Sequence, residues 1–122
     1  MINSNKIAVV GGDMRCAICA DMLGEAGYEV AVCGLEKYQK KLYFTTKCLY
    51  AEDAVREADA IILPIPFSKD GRTVNAPLSS REIGLTEVLR YAKSGAHILG
   101  GCITNLFYSS CSENGVRCMD YG

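Results

Sequence analysis

The segment Gly11-Gly12-Asp13-Met14-Arg15 brings together residue types that hold a small anion. Two adjacent glycines let backbone approach a ligand, and a helix N-terminus offers free N–H groups and the positive end of its dipole. An arginine in the first helical turn adds a forked cation that matches a carboxylate or phosphate better than a lysine would. A plainer reading competes: Gly-Gly makes the turn, Asp13 caps the helix and Arg15 is solvated. Placement favours the ligand reading, because open α/β sheets bind their ligands beyond the carboxyl ends of the strands. The same spacing excludes the dinucleotide fingerprint G-x-G-x-x-G, which needs glycines where Asp13 and Cys16 stand. Glu36 lies near the position of a ribose-binding acid, but without the glycine pattern it reads as a solvated charge.

Cys16-Ala17-Ile18-Cys19 has the spacing of a redox pair. Both thiols fall on the apolar stripe of the predicted helix with no Trp or Pro beside them, so they read as small buried core groups. Zinc is not expected either, since Cys33, Cys48, Cys102, Cys111 and Cys118 are scattered and the single His97 begins a predicted strand. No residue stands out as a general base, because Asp13 serves equally as a cap and His97 is at the wrong end of its strand. The catalytic residues are therefore unassigned.

These residues need a frame. Lys6 to Val10 is a continuous apolar run closed by Gly11-Gly12, the pattern of a strand buried on both faces. Helical spacing follows over Cys16, Cys19, Ala20, Leu23 and Ala26, with Gly27 as the stop, and Tyr28 to Cys33 completes a right-handed βαβ unit. The charged stretch from Leu35 to Tyr50 reads as irregular, although Leu42 to Thr46 has some strand character. Ala51 to Ala58 is a short helix and Asp59 to Pro66 the strongest central strand. Asp70-Gly71 marks a hairpin-like excursion, and Ser79 and Glu82 have capping-box spacing ahead of a helix running to about Lys93. His97 to Gly101 and Val116 to Met119 are the last strands, with a short helix over Asn105 to Cys111.

This alternation predicts one α/β domain: an open, doubly wound, mainly parallel five-stranded sheet of flavodoxin-like order 2-1-3-4-5, a Rossmann-like three-layer sandwich. Four turns should then converge at one end: Gly11 to Arg15, Gly34, Pro64 to Phe67 and Gly100 to Asn105. A phospho-receiver domain shares the topology but needs an Asp closing its third strand, where this chain has Pro64-Ile65-Pro66.

The 122 residues suit a single core, and 49% apolar with 22% charged residues suits a globular protein. The net charge of -1 and the lack of a basic stripe speak against nucleic acid. Seven cysteines, an odd number, behind the polar start Met1 to Asn5 suggest reduced thiols in the cytoplasm, without a leader. No apolar run approaches the roughly 20 residues that span a bilayer.

Three stretches together carry a family resemblance: Lys6 to Arg15, Ala58 to Pro66, and Val74-Asn75-Ala76-Pro77-Leu78-Ser79 followed by Glu82 and Leu85-Thr86-Glu87. They resemble the N-terminal domain of the dipicolinate synthase A-subunit family. The resemblance implies that this chain is the substrate-side domain of a longer oxidoreductase. That enzyme would oxidise a dihydrodipicolinate-type precursor to pyridine-2,6-dicarboxylate in spore-forming bacteria. NADP would be held by a C-terminal Rossmann domain with its own glycine fingerprint, and the partner would be a flavoprotein-like B-subunit. It also implies substrate-binding roles for Gly11, Gly12, Asp13, Arg15, Pro64, Pro66, Asn75 and Ser79, with Lys69 or Arg72 as further cations for a dicarboxylate. The chain departs from the family pattern at Gly100-Gly101-Cys102 and in its cysteine-rich tail. A homodimer is compatible with a domain that leaves a partner-facing patch exposed. The alternative to an enzyme half is a non-catalytic α/β module that binds a small anion or nucleotide or mediates subunit contacts.

Overall fold

Right-handed crossovers decide which face of a parallel sheet each helix covers, and here the direction of travel reverses once. The computed structural model describes residues 6–122, so the polar start Met1 to Asn5 lies outside the described residues. The elements run β1 (Lys6–Val10), α1 (Met14–Glu25), β2 (Glu29–Cys33), β3 (Thr46–Lys47), α2 (Ala51–Val55), β4 (Ala60–Ile62), α3 (Leu85–Tyr91), β5 (His97–Gly100), α4 (Asn105–Glu113) and β6 (Arg117–Asp120). They form one sheet of order β3-β2-β1-β4-β5-β6, parallel throughout. No helix among the described residues is long and apolar enough to cross a membrane.

The five expected strands stand in the expected mutual order, and the structure adds a sixth. It is β3, two residues long at the outer edge, pairing Thr46 and Lys47 with Ala31 and Val32. A strand this short has no readable alternation, and its lysine suits an exposed edge that must not recruit another strand. The loop before it is ordered by α1: the Asp21 carboxylate accepts the N–H groups of Tyr43 and Phe44 at 2.9 and 2.7 Å. The central strand is also shorter than expected: Leu63 still donates its N–H to the Leu99 carbonyl, and Pro64 to Pro66 then form the turn above β4.

Alternation along the strands separates two faces. On one, Ala8, Val10, Ile61 and Ile98 are buried under α2, α3 and α4, which contribute Val55, Val88, Leu89, Phe107 and Cys111. On the other, Val9, Val30 and Val32 pack against Ala17 and Ala20 of α1, with Leu35 from the loop after β2. The buried stripe of α1 is therefore rotated from the expected one. Ala17 and Ala20 face the sheet, Cys16 is half-buried, and Cys19 and Ala26 are exposed.

Helix ends follow local chemistry. Asp13 caps α1 by accepting the Arg15 N–H at 2.9 Å. At the other end Gly27 takes φ +109°, while its N–H and that of Tyr28 close on Gly24 and Leu23 in a Schellman arrangement. The Ser79/Glu82 capping box does not form. Ser79 Oγ donates to the Arg81 carbonyl and accepts the Arg81 N–H, and α3 begins only at Leu85 behind Gly84. Residues 72–74 instead pair antiparallel with 83–85, Thr73 bridging Gly84, and the excursion is tied by Asp70, which accepts the N–H groups of Arg72 and Thr73 at 2.8 Å each.

Gly24 offers a test of how α1 holds the loop. Helix propensity favours alanine there by about 1 kcal/mol, but a Cβ on Gly24 would lie 2.1 Å from the Phe44 carbonyl oxygen. We expect Gly24→Ala to destabilise the fold by at least about 1 kcal/mol in urea unfolding. A stabilised variant would show that the loop does not seat on α1.

Candidate functional site

The sheet reverses between β1 and β4, and the carboxyl ends of these two strands open into a crevice. A pocket of about 400 Å³ occupies it. Its floor is Val9, Ile62 and Leu99, neighbours in register on the face that α1 covers in part. One wall is Gly12 to Cys19 of the turn and α1; the other is Pro64, Ile65, Asn75 and Pro77. Tyr121, beyond β6, closes one side with its hydroxyl donating to the Leu63 carbonyl. Burial pushes the Tyr121 hydroxyl above its ordinary pKa, so it stays a neutral donor.

Of the residues singled out in the sequence, Gly12, Asp13, Arg15, Pro64 and Asn75 line this pocket, whereas Gly11, Pro66 and Ser79 do not. The two glycines serve packing at this turn. Their φ angles are +77° and +93°; a Cβ on Gly11 would lie 2.5 Å from Val74, and one on Gly12 2.2 Å from Cys16 Sγ. They let the 74–76 strap and α1 pack tightly over the strand end. Their N–H groups are also committed, Gly11 to the Cys33 carbonyl and Gly12 to the Asn75 carbonyl, both at 2.9 Å. The N–H groups of Arg15, Cys16 and Ala17 all return to Asp13. Five of the turn's N–H groups, those of Gly11, Gly12, Arg15, Cys16 and Ala17, thus have acceptors within the chain.

The side chains at this turn offer chemistry of their own to a ligand. The Asp13 carboxylate receives Arg15 Nε at 3.2 Å and Nη2 at 3.0 Å. This pairing holds the Asp13 carboxyl below its ordinary pKa and raises that of the guanidinium. Nη1 has no protein partner among the described residues, so the fork retains donors for a second carboxylate. Asn75 is oriented by Nδ2 donating to the Pro66 carbonyl at 3.0 Å. Pro66 follows a cis Ile65–Pro66 peptide.

Lys69 and Arg72 are not brought to the pocket; they stay outside it on the excursion organised by Asp70. Glu36 is exposed, and its carboxylate accepts the Ser80 N–H at 3.2 Å, tying the 77–80 loop to the end of β2. His97 is exposed at the start of β5, far along its strand from the pocket. Among the described residues no group of three or more His, Cys, Asp or Glu is placed to hold a metal ion. Sequence reading missed Tyr121 and the floor of Val9, Ile62 and Leu99. The floor was available as the same-face positions of three strands, but only once their register was known.

The decisive comparison is with families of known proteins. A model of the N-terminal domain of the dipicolinate synthase A-subunit matches residues 6–122. The chain belongs to that family. The dipicolinate synthase A chain of Bacillus subtilis superposes with a TM-score of 0.82 at 22% identity, over 98% of this chain and 41% of that one. The dipicolinate synthase A-subunit from Bacillus halodurans gives 0.76 at 18% identity, over 95% and 40%. At these identities the solved structures establish the fold, and this chain spans about two-fifths of their length. No curated protein matches. The family membership carries the sequence resemblance over essentially every described residue, including the Gly100-Gly101-Cys102 turn. There Cys102 adopts a positive φ of 58° and Gly101 accommodates Ile65.

Two measurements check this geometry. The lowered Asp13 pKa stabilises the fold above the ordinary carboxylate pKa, and that contribution disappears as pH falls through the folded-state value. Asparagine caps a helix as well as aspartate does. Asp13→Asn should therefore lower Tm at pH 6, and the difference from the parent should vanish near pH 2. Burial pushes the thiols of Cys33 and Cys111 up to about 12. In iodoacetamide labelling at pH 8 read by mass spectrometry, the exposed Cys19 and Cys102 should modify first, with Cys33 and Cys111 protected until the chain unfolds.

Proposed function

We propose that this chain is the substrate-side half of a dipicolinate-forming oxidoreductase, with the crevice between β1 and β4 receiving a cyclic dicarboxylate. The observation that carries the reading is the Asp13-held Arg15 at the rim of an apolar-floored pocket, in a chain of this family. A flat ring suits a floor of Val9, Ile62 and Leu99, and a carboxylate suits the free edge of the guanidinium. Asn75 and Tyr121 are further polar residues that line the same pocket. Oxidation of a dihydrodipicolinate-type ring removes two electrons as a hydride together with one proton.

The turn after β1 does not fit the NADP that accepts such a hydride. The N–H groups of Gly11 and Gly12 are taken by protein carbonyls and that of Arg15 by the Asp13 carboxylate, whose negative charge at the helix N-terminus opposes a pyrophosphate there. On this reading the dinucleotide is held by residues outside this chain, in a second domain, and this chain supplies binding and orientation. A role in the cytoplasm of sporulating cells, with a flavoprotein-like B-subunit for partner, belongs to the same proposal.

Calorimetry on the 122-residue chain tests it. Pyridine-2,6-dicarboxylate should bind and NADP should not, and Arg15→Ala should weaken dicarboxylate binding by about tenfold or more. Binding of NADP alone, or dicarboxylate binding indifferent to Arg15→Ala, contradicts the assignment and favours an anion- or nucleotide-binding module.

A further inference from the structure

Among the described residues, Tyr121 is the only aromatic side chain that lines the crevice. Its place is fixed by hydrogen bonds at both ends. The backbone N–H donates to the Gly100 carbonyl at 2.9 Å, and the hydroxyl donates to the Leu63 carbonyl at 2.5 Å. The preceding Asp120 carboxylate accepts the N–H groups of Ile103 and Gly122 at 3.0 and 2.8 Å, which ties the same segment to the loop after β5. Tyr121 is therefore pinned across the carboxyl ends of β4 and β5, and it is still 46% exposed.

The committed hydroxyl decides what this residue can offer a ligand. It donates to a backbone carbonyl, and burial keeps it protonated, so it has no free proton to give and no charge to lend. What it presents to the crevice is its ring. The charge of Arg15 is felt at the Tyr121 hydroxyl, so the ring and the guanidinium belong to one site. An aromatic ring has an electron-rich face and a positive edge, and it pairs with another flat ring either stacked or edge-to-face. A puckered ring, with hydrogens standing above and below its mean plane, fits neither arrangement as closely.

We propose that Tyr121 makes the crevice selective for a flat ring, its phenol ring being the wall that favours planar dicarboxylates over puckered ones of equal charge and carboxylate spacing. The inference rests on the dicarboxylate reading of the crevice. It also gives the binding energy a direction. A dihydro ring carries tetrahedral carbons and flattens as its hydride and proton leave, so contact with Tyr121 grows along the reaction. A Tyr121 that only pinned the polypeptide would instead affect flat and puckered ligands alike.

Calorimetry on the 122-residue chain with isophthalate and its saturated counterpart, cis-hexahydroisophthalate, separates the two roles. Both are dianions with the same ring spacing of carboxylates; one ring is flat and the other puckered. The parent should bind isophthalate more tightly, and Tyr121→Leu should reduce that preference by about threefold to tenfold. Tyr121→Phe keeps the ring and its backbone anchor and should retain the preference to within about twofold. The parent alone supplies a second readout: nuclear Overhauser effects between the Tyr121 ring protons and those of bound isophthalate. A parent without preference, a leucine variant that weakens both ligands equally, a phenylalanine variant that loses the preference as leucine does, or bound isophthalate without those Overhauser effects would each overturn the proposal and leave the dicarboxylate reading standing. Failure of both ligands to bind the parent would remove that reading, and this inference with it.

Discussion

The reversal of strand order between β1 and β4 is the constraint on which the rest of this structure depends. Parallel crossovers have one hand, so a sheet grown outward in both directions from its centre must put its helices on opposite faces. The carboxyl ends of the two central strands then separate, because the loop from β1 turns toward one face and the loop from β4 toward the other. The crevice is a consequence of topology before any side chain is specified. The sequence decides only what lines it: an apolar floor, one paired arginine and a few oriented amide and hydroxyl groups.

The Gly11-Gly12 turn illustrates how close packing and ligand chemistry compete for one segment. The same freedom at positive φ that permits backbone to approach a phosphate here permits the 74–76 strap and Cys16 to approach the strand end. Asp13 completes the exchange by filling the helix N-terminus with a carboxylate of its own chain. On the proposed reading, selectivity for a carboxylate rests on Arg15, whose guanidinium is held by Asp13. A guanidinium with one edge paired and one edge free recognises a carboxylate by geometry and carries its charge at every physiological pH.

Much of this was legible in the sequence, for physical reasons that differ by element. Buried parallel strands such as Lys6–Val10 announce themselves as short apolar runs, and Gly27 marks a helix end because the left-handed C′ position favours glycine. Strand β3 was hidden because two residues carry no period. The Ser79/Glu82 pair misled because the local spacing of a capping box was overridden by an antiparallel contact between Thr73 and Gly84, which local sequence does not encode. The stripe of α1 was read rightly at Ala20 and in part at Cys16 and Leu23, but it left out Ala17 and included the exposed Cys19 and Ala26, since cysteine and alanine are equally suited to burial and only the sheet decides between them. In the site, Arg15 and Asp13 could be named from type and spacing. Tyr121 joins them only through the register that brings the end of β6 beside Leu63.

The central claim is that the crevice at the sheet's reversal point is a carboxylate site governed by Arg15. It is tested most directly by titrating isotope-labelled chain with pyridine-2,6-dicarboxylate and following backbone amide resonances. The account predicts shifts concentrated at Gly12, Arg15, Asn75 and Tyr121, with the amides of residues 69–72 unmoved. Shifts centred on Lys69 to Arg72, or on the outer edge near β3 with the crevice silent, would contradict it.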